Sequence, residues 1–277
     1  MSSKGPGLFS DFGKKARDVL FKDYSTDQKF AISSCAESGV AITSNVVEKG
    51  GLSIGDVSTQ HKFKNGSLDV KLDTQSNILT TLRLTDFPSS TKVIASLKLP
   101  DYNSGKLEVQ YFHQHAGITA AAGLNHTPIV DFSATIGTPT IAFGAETSYA
   151  TASGEFSKYN AGVSYTSPDT NASVILADKG NSIKVSYLRH LEMMNQLTVV
   201  GEINRTFSNN ENTLTVGCSY VADPQTVLKT KLNNHGSLGA LVQHEFKPKS
   251  FLTISGSFDT KALHKNPKFG LALSLKP

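Results

Sequence analysis

The sequence predicts an all-β membrane protein, built as a single closed transmembrane β-barrel that is preceded by one amphipathic helix. Three observations lead to this prediction. Apolar and polar residues alternate with a period of two from about residue 25 to the end of the chain. Only 18% of the 277 residues are charged and 38% are hydrophobic, so Ser, Thr and Asn fill most polar positions. No stretch approaches the roughly 18 consecutive apolar residues of a helical membrane span.

The amphipathic helix is predicted over residues 7–20. Its apolar residues recur at the spacing of one helical face and are Leu8, Phe9, Phe12, Ala16, Val19 and Leu20. The opposite face carries Ser10, Asp11, Lys14, Lys15, Arg17 and Asp18. Such a helix needs an apolar surface to pack on, and from these residues alone an ordinary packing helix on a protein core explains the pattern equally well.

Alternating runs fill the rest of the chain. Turn sequences such as Asn65-Gly66 and Gly50-Gly51 separate them. Because the connections are short, consecutive strands are expected to pair antiparallel. We count nineteen runs, which begin near residues 27, 38, 56, 67, 77, 92, 106, 117, 128, 139, 158, 170, 181, 195, 212, 225, 237, 250 and 268.

A barrel in lipid fits these runs better than a soluble fold does. Tilted strands of about nine to eleven residues span the hydrocarbon layer, with apolar side chains on lipid and polar ones in a wet lumen. A barrel this wide is not filled by its side chains, so it forms a channel. A β-propeller would show repeats of about 40 residues, and we find none. The alternative is a soluble all-β binding protein, and such a protein would stay in solution without detergent.

The alternation also assigns charged side chains to the lumen. The basic set is Lys62, Lys64, Lys71, Arg83, Lys98, Lys106, Lys184, Lys229, Lys231 and Lys276. The acidic set is Asp69, Asp73, Glu108, Asp131, Glu146, Glu202, Glu245 and Asp259. With the charges of the helix, thirteen basic residues face ten acidic ones. A wide aqueous pore with this small positive excess is predicted to prefer anions mildly.

Other function classes find no support in the sequence. The GxSxG, HExxH, GxGxxG and Walker A motifs are absent, so no enzyme, catalytic residue or cofactor is predicted. His113 and His115 lack a third ligand, so no metal site is predicted. Cys35 and Cys218 lie outside any CxxC and are predicted to be inert thiols. The net charge of +4 is spread along the chain, and no nucleic-acid binding is expected.

Two parts of the sequence resemble the eukaryotic porins. Residues 220–226 (YVADPQT), 230–234 (TKLNN) and 239–242 (GALV) match the signature of that family. The opening at residues 5–16 (GPGLFSDFGKKA) is similar to the start of the voltage-dependent anion channels, most of all the plant form. The resemblance covers the whole chain.

The resemblance implies a voltage-gated, weakly anion-selective channel of the mitochondrial outer membrane that passes metabolites, nucleotides and small ions by diffusion. It implies a 19-stranded barrel at residues 26–277, closed by a parallel pair, with the helical segment 1–25 inside the pore. The helix is then expected to contact the wall through Leu8, Phe12, Ala16 and Leu20. The expected pore-lining and selectivity residues are Lys14, Lys15, Arg17, Lys62, Lys71, Arg83, Lys98, Lys229 and Lys231.

Membrane lipid, nucleotides and small anions are the partners that the resemblance implies. It also allows a homo-oligomer and a hexokinase-type docking partner, neither of which the residues specify. The alternative function is a protein-translocation pore of the related mitochondrial barrel superfamily, although the mildly basic lumen suits basic presequences poorly. One departure concerns the linker at residues 21–25, which lacks the glycines of animal members. Another is Ser96-Leu97-Lys98, which replaces the family's Gly-Leu-Lys triplet.

Overall fold

The structure is a computed structural model that describes residues 5–36, 38–86, 89–191, 196–261 and 267–276. These residues form one closed sheet of nineteen strands, preceded by a 3-10 turn (Phe9–Asp11) and a helix, α1 (Lys14–Phe21). The strands are β1 (Gln28–Cys35), β2 (Val40–Lys49), β3 (Leu52–Phe63), β4 (Gly66–Asp73), β5 (Ile78–Thr85), β6 (Thr91–Leu99), β7 (Lys106–Phe112), β8 (Ala116–Gly123), β9 (Ile129–Gly137), β10 (Ile141–Ala150), β11 (Glu155–Thr166), β12 (Thr170–Ala177), β13 (Ser182–Leu191), β14 (Leu197–Thr206), β15 (Glu211–Asp223), β16 (Thr226–Asn233), β17 (Ser237–Lys247), β18 (Ser250–Asp259) and β19 (Lys268–Leu275). In this part of the chain no helix has both the length and the apolar composition needed to cross a membrane.

The sheet closes through a parallel pair of strands. Each strand pairs antiparallel with the next one along the chain, as β1 does with β2 and β18 with β19. β1 and β19 run in the same direction, with Gln28 opposite Leu271 and Ile32 opposite Leu275. An odd number of strands in such a meander makes the first and last strands parallel. The predicted count of nineteen and the expected parallel closure are both confirmed.

The strands begin within four residues of their predicted starts. The largest difference is at β3, which begins at Leu52 rather than near residue 56. Gly50 and Gly51 both adopt positive φ, +59° and +83°, which is the geometry of a two-residue hairpin turn. Because the turn is so tight, Leu52 already pairs with Lys49.

The two faces of the barrel differ in chemistry, as the alternation predicts. Large apolar side chains such as Val216 and Ile254 lie exposed on the outer face. Small polar side chains such as Ser186 and Thr215 lie buried on the inner face, below the N-terminal segment. The outer face exposes far more contiguous apolar surface than a soluble monomer tolerates, so it is suited to lipid.

The helical segment is broken, and the prediction of one continuous helix over residues 7–20 is wrong. The 3-10 turn ends at Asp11, Gly13 adopts a left-handed φ of +67°, and α1 begins at Lys14. The reason is the approach of the chain to the wall. A Cβ on Gly13 would lie 2.8 Å from the hydroxyl oxygen of Ser173 and 2.9 Å from that of Ser186.

An arginine on the outer face is expected to destabilise the barrel far more than one on the inner face. Val57, near the middle of β3, is exposed on the outer face. Val57→Arg should lower the free energy of unfolding by about 2–4 kcal/mol, because a charge near the bilayer midplane is costly. Ser58→Arg, the neighbouring inward position, should lower it by less than about 1 kcal/mol. Urea unfolding in vesicles, followed by circular dichroism, measures both, and equal losses would contradict the assignment of faces.

Candidate pore lumen and its helix

The N-terminal segment runs through the lumen from one mouth towards the other. Gly5 lies against the carbonyl of His113, in the turn that follows β7. Odd-numbered strands all run in one direction, so this turn and the start of β1 lie at opposite mouths. The chain between them therefore crosses the lumen before it enters β1 at Gln28.

Hydrogen bonds from wall hydroxyls hold both ends of this segment. The Thr135 hydroxyl in β9 donates to the Gly7 carbonyl at 2.6 Å. At the other end, the Ser255 hydroxyl in β18 donates to the Ser25 carbonyl. Gly270 in β19 lies beside the same carbonyl, and a Cβ there would overlap it. Small wall residues thus let the backbone of the segment approach the sheet closely.

The four residues expected to contact the wall are all buried. Leu8 is 7% exposed, Phe12 is 2% exposed, and Ala16 and Leu20 are fully buried. Burying one large apolar side chain contributes about 1.5–3 kcal/mol. The wall contacts form two clusters, one of Phe9, Phe12, Ala142 and Ile175 and one of Ala16, Val19, Leu20, Leu188 and Val200.

Two glycines of the wall, which were not predicted from the sequence as site residues, make room for side chains of the N-terminal segment. A Cβ on Gly144 would lie 2.7 Å from Cδ2 of Phe9, and a Cβ on Gly217 would lie 2.7 Å from Cδ2 of Leu20. A glycine at an inward strand position is a signal that another segment approaches closely. The inward glycines can be found in the sequence, but the sequence does not show which segment packs against them.

Several of the predicted pore-lining cations form ion pairs with acidic neighbours. Lys14 pairs with Asp11 on the helical segment at 3.5 Å, and Lys229 pairs with Asp23 of the linker at 3.6 Å. The other ion pairs of the described residues link strands across the inner face and are Lys71–Asp56 (3.1 Å), Arg83–Asp69, Lys106–Asp131 (3.8 Å), Lys158–Glu146 (2.7 Å) and Lys184–Glu202 (3.0 Å).

Three of the paired charges, Asp23, Asp56 and Lys158, are not among the lumen charges predicted from the sequence. Asp56 and Lys158 stand at strand starts that were predicted a few residues late, and Asp23 lies in the linker. Asp23, Asp56 and Lys158 therefore join the predicted set of thirteen basic and ten acidic residues. The cations without an ion pair in the described part of the chain include Lys15, Lys62 and Lys98.

Arg17 has a structural contact that the sequence did not predict. Its guanidinium donates to the carbonyl of Phe12 at 3.1 Å and to that of Ser10 at 3.4 Å. Both carbonyls lie at the break before α1, where the regular helical hydrogen bonds are missing. Arg17 therefore holds the break together while its charge stays in the lumen.

Lys231 contacts the linker through aromatic rings. Its Nζ lies 4.9 Å from the ring centroid of Phe21 and 4.2 Å from that of Tyr24, within the range of cation–π attraction. Burial raises the pKa of the Tyr24 hydroxyl to about 12, so this ring stays neutral at physiological pH. The Tyr24 hydroxyl is buried without a hydrogen-bond partner among the described residues.

Among the described residues, the thiols and histidines do not assemble into a site. Cys35 is exposed at the end of β1, and Sγ of Cys218 lies 3.2 Å from Oγ1 of Thr230. The His113 and His115 ring centroids are 6.2 Å apart. In the part of the chain that the structure describes, no group of three or more His, Cys, Asp or Glu side chains is placed to hold a metal ion.

Even a methyl group at Gly144 is expected to displace the 3-10 turn from the wall. Gly144→Ala would push against the Phe9 ring, whereas Gly201→Ala meets no atom within 4 Å. A nitroxide at Ser10, attached through Ser10→Cys in a Cys35→Ser, Cys218→Ser background, should become several-fold more mobile in the first variant and stay unchanged in the second. An unchanged spectrum in Gly144→Ala would show that this contact does not hold the turn.

Comparisons with known proteins agree with this architecture. The model of the eukaryotic porin family matches residues 5–270. The chain is 58% identical to mitochondrial outer membrane protein porin 2 of Arabidopsis thaliana, over 99% of this chain and all of that one. It is 55% identical to porin 5 of Oryza sativa subsp. japonica over the full length of both chains, and 47% identical to the 36 kDa porin of Solanum tuberosum over 99% of each. The chain therefore belongs to the eukaryotic porin family and forms a pore of the mitochondrial outer membrane.

Proposed function

We propose that this porin is a voltage-gated, weakly anion-selective channel through which metabolites, nucleotides and small ions diffuse without catalysis. The observation that carries the proposal is a charged lumen with a cationic helix held along one side of it. The helix packs on β13 to β16, and the 3-10 turn packs on β9 and β10. One short helix against one side leaves a passage in a barrel of this strand number.

The exposed cations of the helix support a preference for anions. The side chain of Lys14 is 61% exposed although it pairs with Asp11, and Lys15 and Arg17 are exposed as well. Their positive potential raises the local concentration of anions in the passage. The preference is mild because the inner face also carries many carboxylates, and because salt screens each charge within about 8–10 Å.

The charge of the helical segment supports a response to voltage. Residues 11–22 carry four basic and two acidic side chains, a net charge of +2. Moving this charge through half of a 100 mV potential changes its energy by about 2.3 kcal/mol. That is comparable to the contribution of one buried leucine, about 1.5–3 kcal/mol. Membrane potentials of this size therefore compete with part of the wall packing.

The test is single-channel recording in a planar bilayer under a salt gradient, with voltage stepped to both signs. We expect a large conductance at low voltage with a reversal potential displaced towards that of the anion. We also expect the conductance to fall as the voltage grows in either direction. A cation preference would overturn the assigned selectivity, and a conductance independent of voltage would overturn the assigned gating.

Reversing two helix charges should shift the selectivity towards cations. We expect Lys14→Glu with Lys15→Glu to move the reversal potential by several millivolts or more towards that of the cation, because the exposed potential on the helix changes sign. Arg17 is kept, since it holds the break before α1. The control, Lys14→Arg with Lys15→Arg, retains both charges and should leave the reversal potential in place. Equal reversal potentials for the two variants would show that these lysines do not face the permeating ions.

A further inference from the structure

We propose that Lys229 and Lys231 of β16 are positioning residues that hold the linker at residues 21–25, whose first residue is the last of α1, against the wall and thereby fix the C-terminal end of α1. Alternation and the family resemblance predict that both lysines line the pore. In the structure, both lysines contact groups of the linker. This proposal concerns how the helix is held, and only its effect on gating rests on the proposed function.

Lys229 holds the linker through charge. Its Nζ lies 3.6 Å from the carboxylate of Asp23, and only 13% of its side chain is exposed. Asp23 is 38% exposed, so the pair is shielded from water mainly on the side of Lys229, and salt screens it less than a fully exposed pair. Removing Asp23 would leave the ammonium of Lys229 largely buried without its partner, which is more costly than losing a surface contact.

Lys231 holds the linker through aromatic faces. The rings of Phe21 and Tyr24 both lie within 5 Å of its Nζ, so one ammonium contacts residues on both sides of Asp23. The Tyr24 ring also approaches Gly239, where a Cβ would be 3.3 Å away. Three linker residues, Phe21, Asp23 and Tyr24, thus contact β16, and Tyr24 also reaches β17.

The linker itself makes such an anchor effective. Residues 21–27 contain no glycine, so their backbone conformations are more restricted than those of a glycine-rich hinge. Since Lys229 and Lys231 are two residues apart on one strand, they face the same side of the sheet. Lys229 contacts Asp23, and Lys231 contacts Phe21 and Tyr24. Displacement of the helix at this end therefore requires both contacts to break.

The test measures the mobility of the helix directly, in full-length protein reconstituted in vesicles. A nitroxide is attached at Asp18→Cys, on the exposed side of α1, in a Cys35→Ser, Cys218→Ser background. Lys229→Gln with Lys231→Gln should raise the population ratio of mobile to immobile label by roughly fivefold or more, the change expected from losing one cation–π contact. Lys98→Gln removes one charge from an inner-face lysine that has no ion pair among the described residues, and it should leave the spectrum unchanged.

Further variants separate the two contacts. Tyr24→Phe keeps the ring and removes a hydroxyl that is buried without a partner, so the native spectrum is expected, whereas Tyr24→Leu should mobilise the label. Asp23→Lys alone should mobilise the label. The charge exchange, Asp23→Lys with Lys229→Asp, should restore much of the immobile component that the single variant loses. Circular dichroism and the heat-dependent shift in gel mobility verify a folded barrel for each variant. If the double glutamine variant does not insert, Tyr24→Leu and Asp23→Asn carry the same test.

An immobile label in a folded double glutamine variant would overturn the proposal, as would equal mobility in that variant and in Lys98→Gln. Bilayer recording gives a second measurement, in which the conductance of the double variant should fall at a lower voltage than that of the native chain. If the label is mobilised and the voltage dependence does not change, the positioning role stands and the proposed gating by the helix fails.

Discussion

Within a bilayer, no water is available to the strand backbone, so every N–H and C=O group must find its partner inside the sheet. The parallel pairing of β1 with β19 meets this requirement for a chain of nineteen strands. The closure also fixes the path of the N-terminus. Because β1 begins at the mouth opposite the β7–β8 turn, a segment that touches that turn must pass through the lumen.

A segment in the lumen in turn requires an apolar strip on a face that is otherwise polar. That strip is present beneath the helix, where Leu188 and Val200 replace the small polar residues found elsewhere on the inner face. Ala142 and Ile175 do the same beneath the 3-10 turn. The break at Gly13 lets one chain reach both patches, with Ser173 and Ser186 between them.

The strands were predictable because alternation is a property of each strand by itself, and lipid outside with water inside enforces it along the whole chain. The ion pairs could not be predicted, since the pairing of Asp56 with Lys71 depends on how β3 and β4 are aligned. The inward direction of Lys231 followed from alternation. The contact of Lys231 with Tyr24 could not be predicted from alternation, because the two residues lie far apart in sequence and meet only after the barrel closes.

The inward glycines have a consequence for how such a chain can vary. Gly144 and Gly217 are shaped to particular side chains of the helical segment, Phe9 and Leu20. A bulkier residue in the segment needs a matching recess more than a hundred residues later, and a filled recess needs a smaller residue near the start. The helix is therefore not an interchangeable module. Grafting it onto another barrel transfers its charges, but it packs against the new wall only if the matching wall positions are transferred with it.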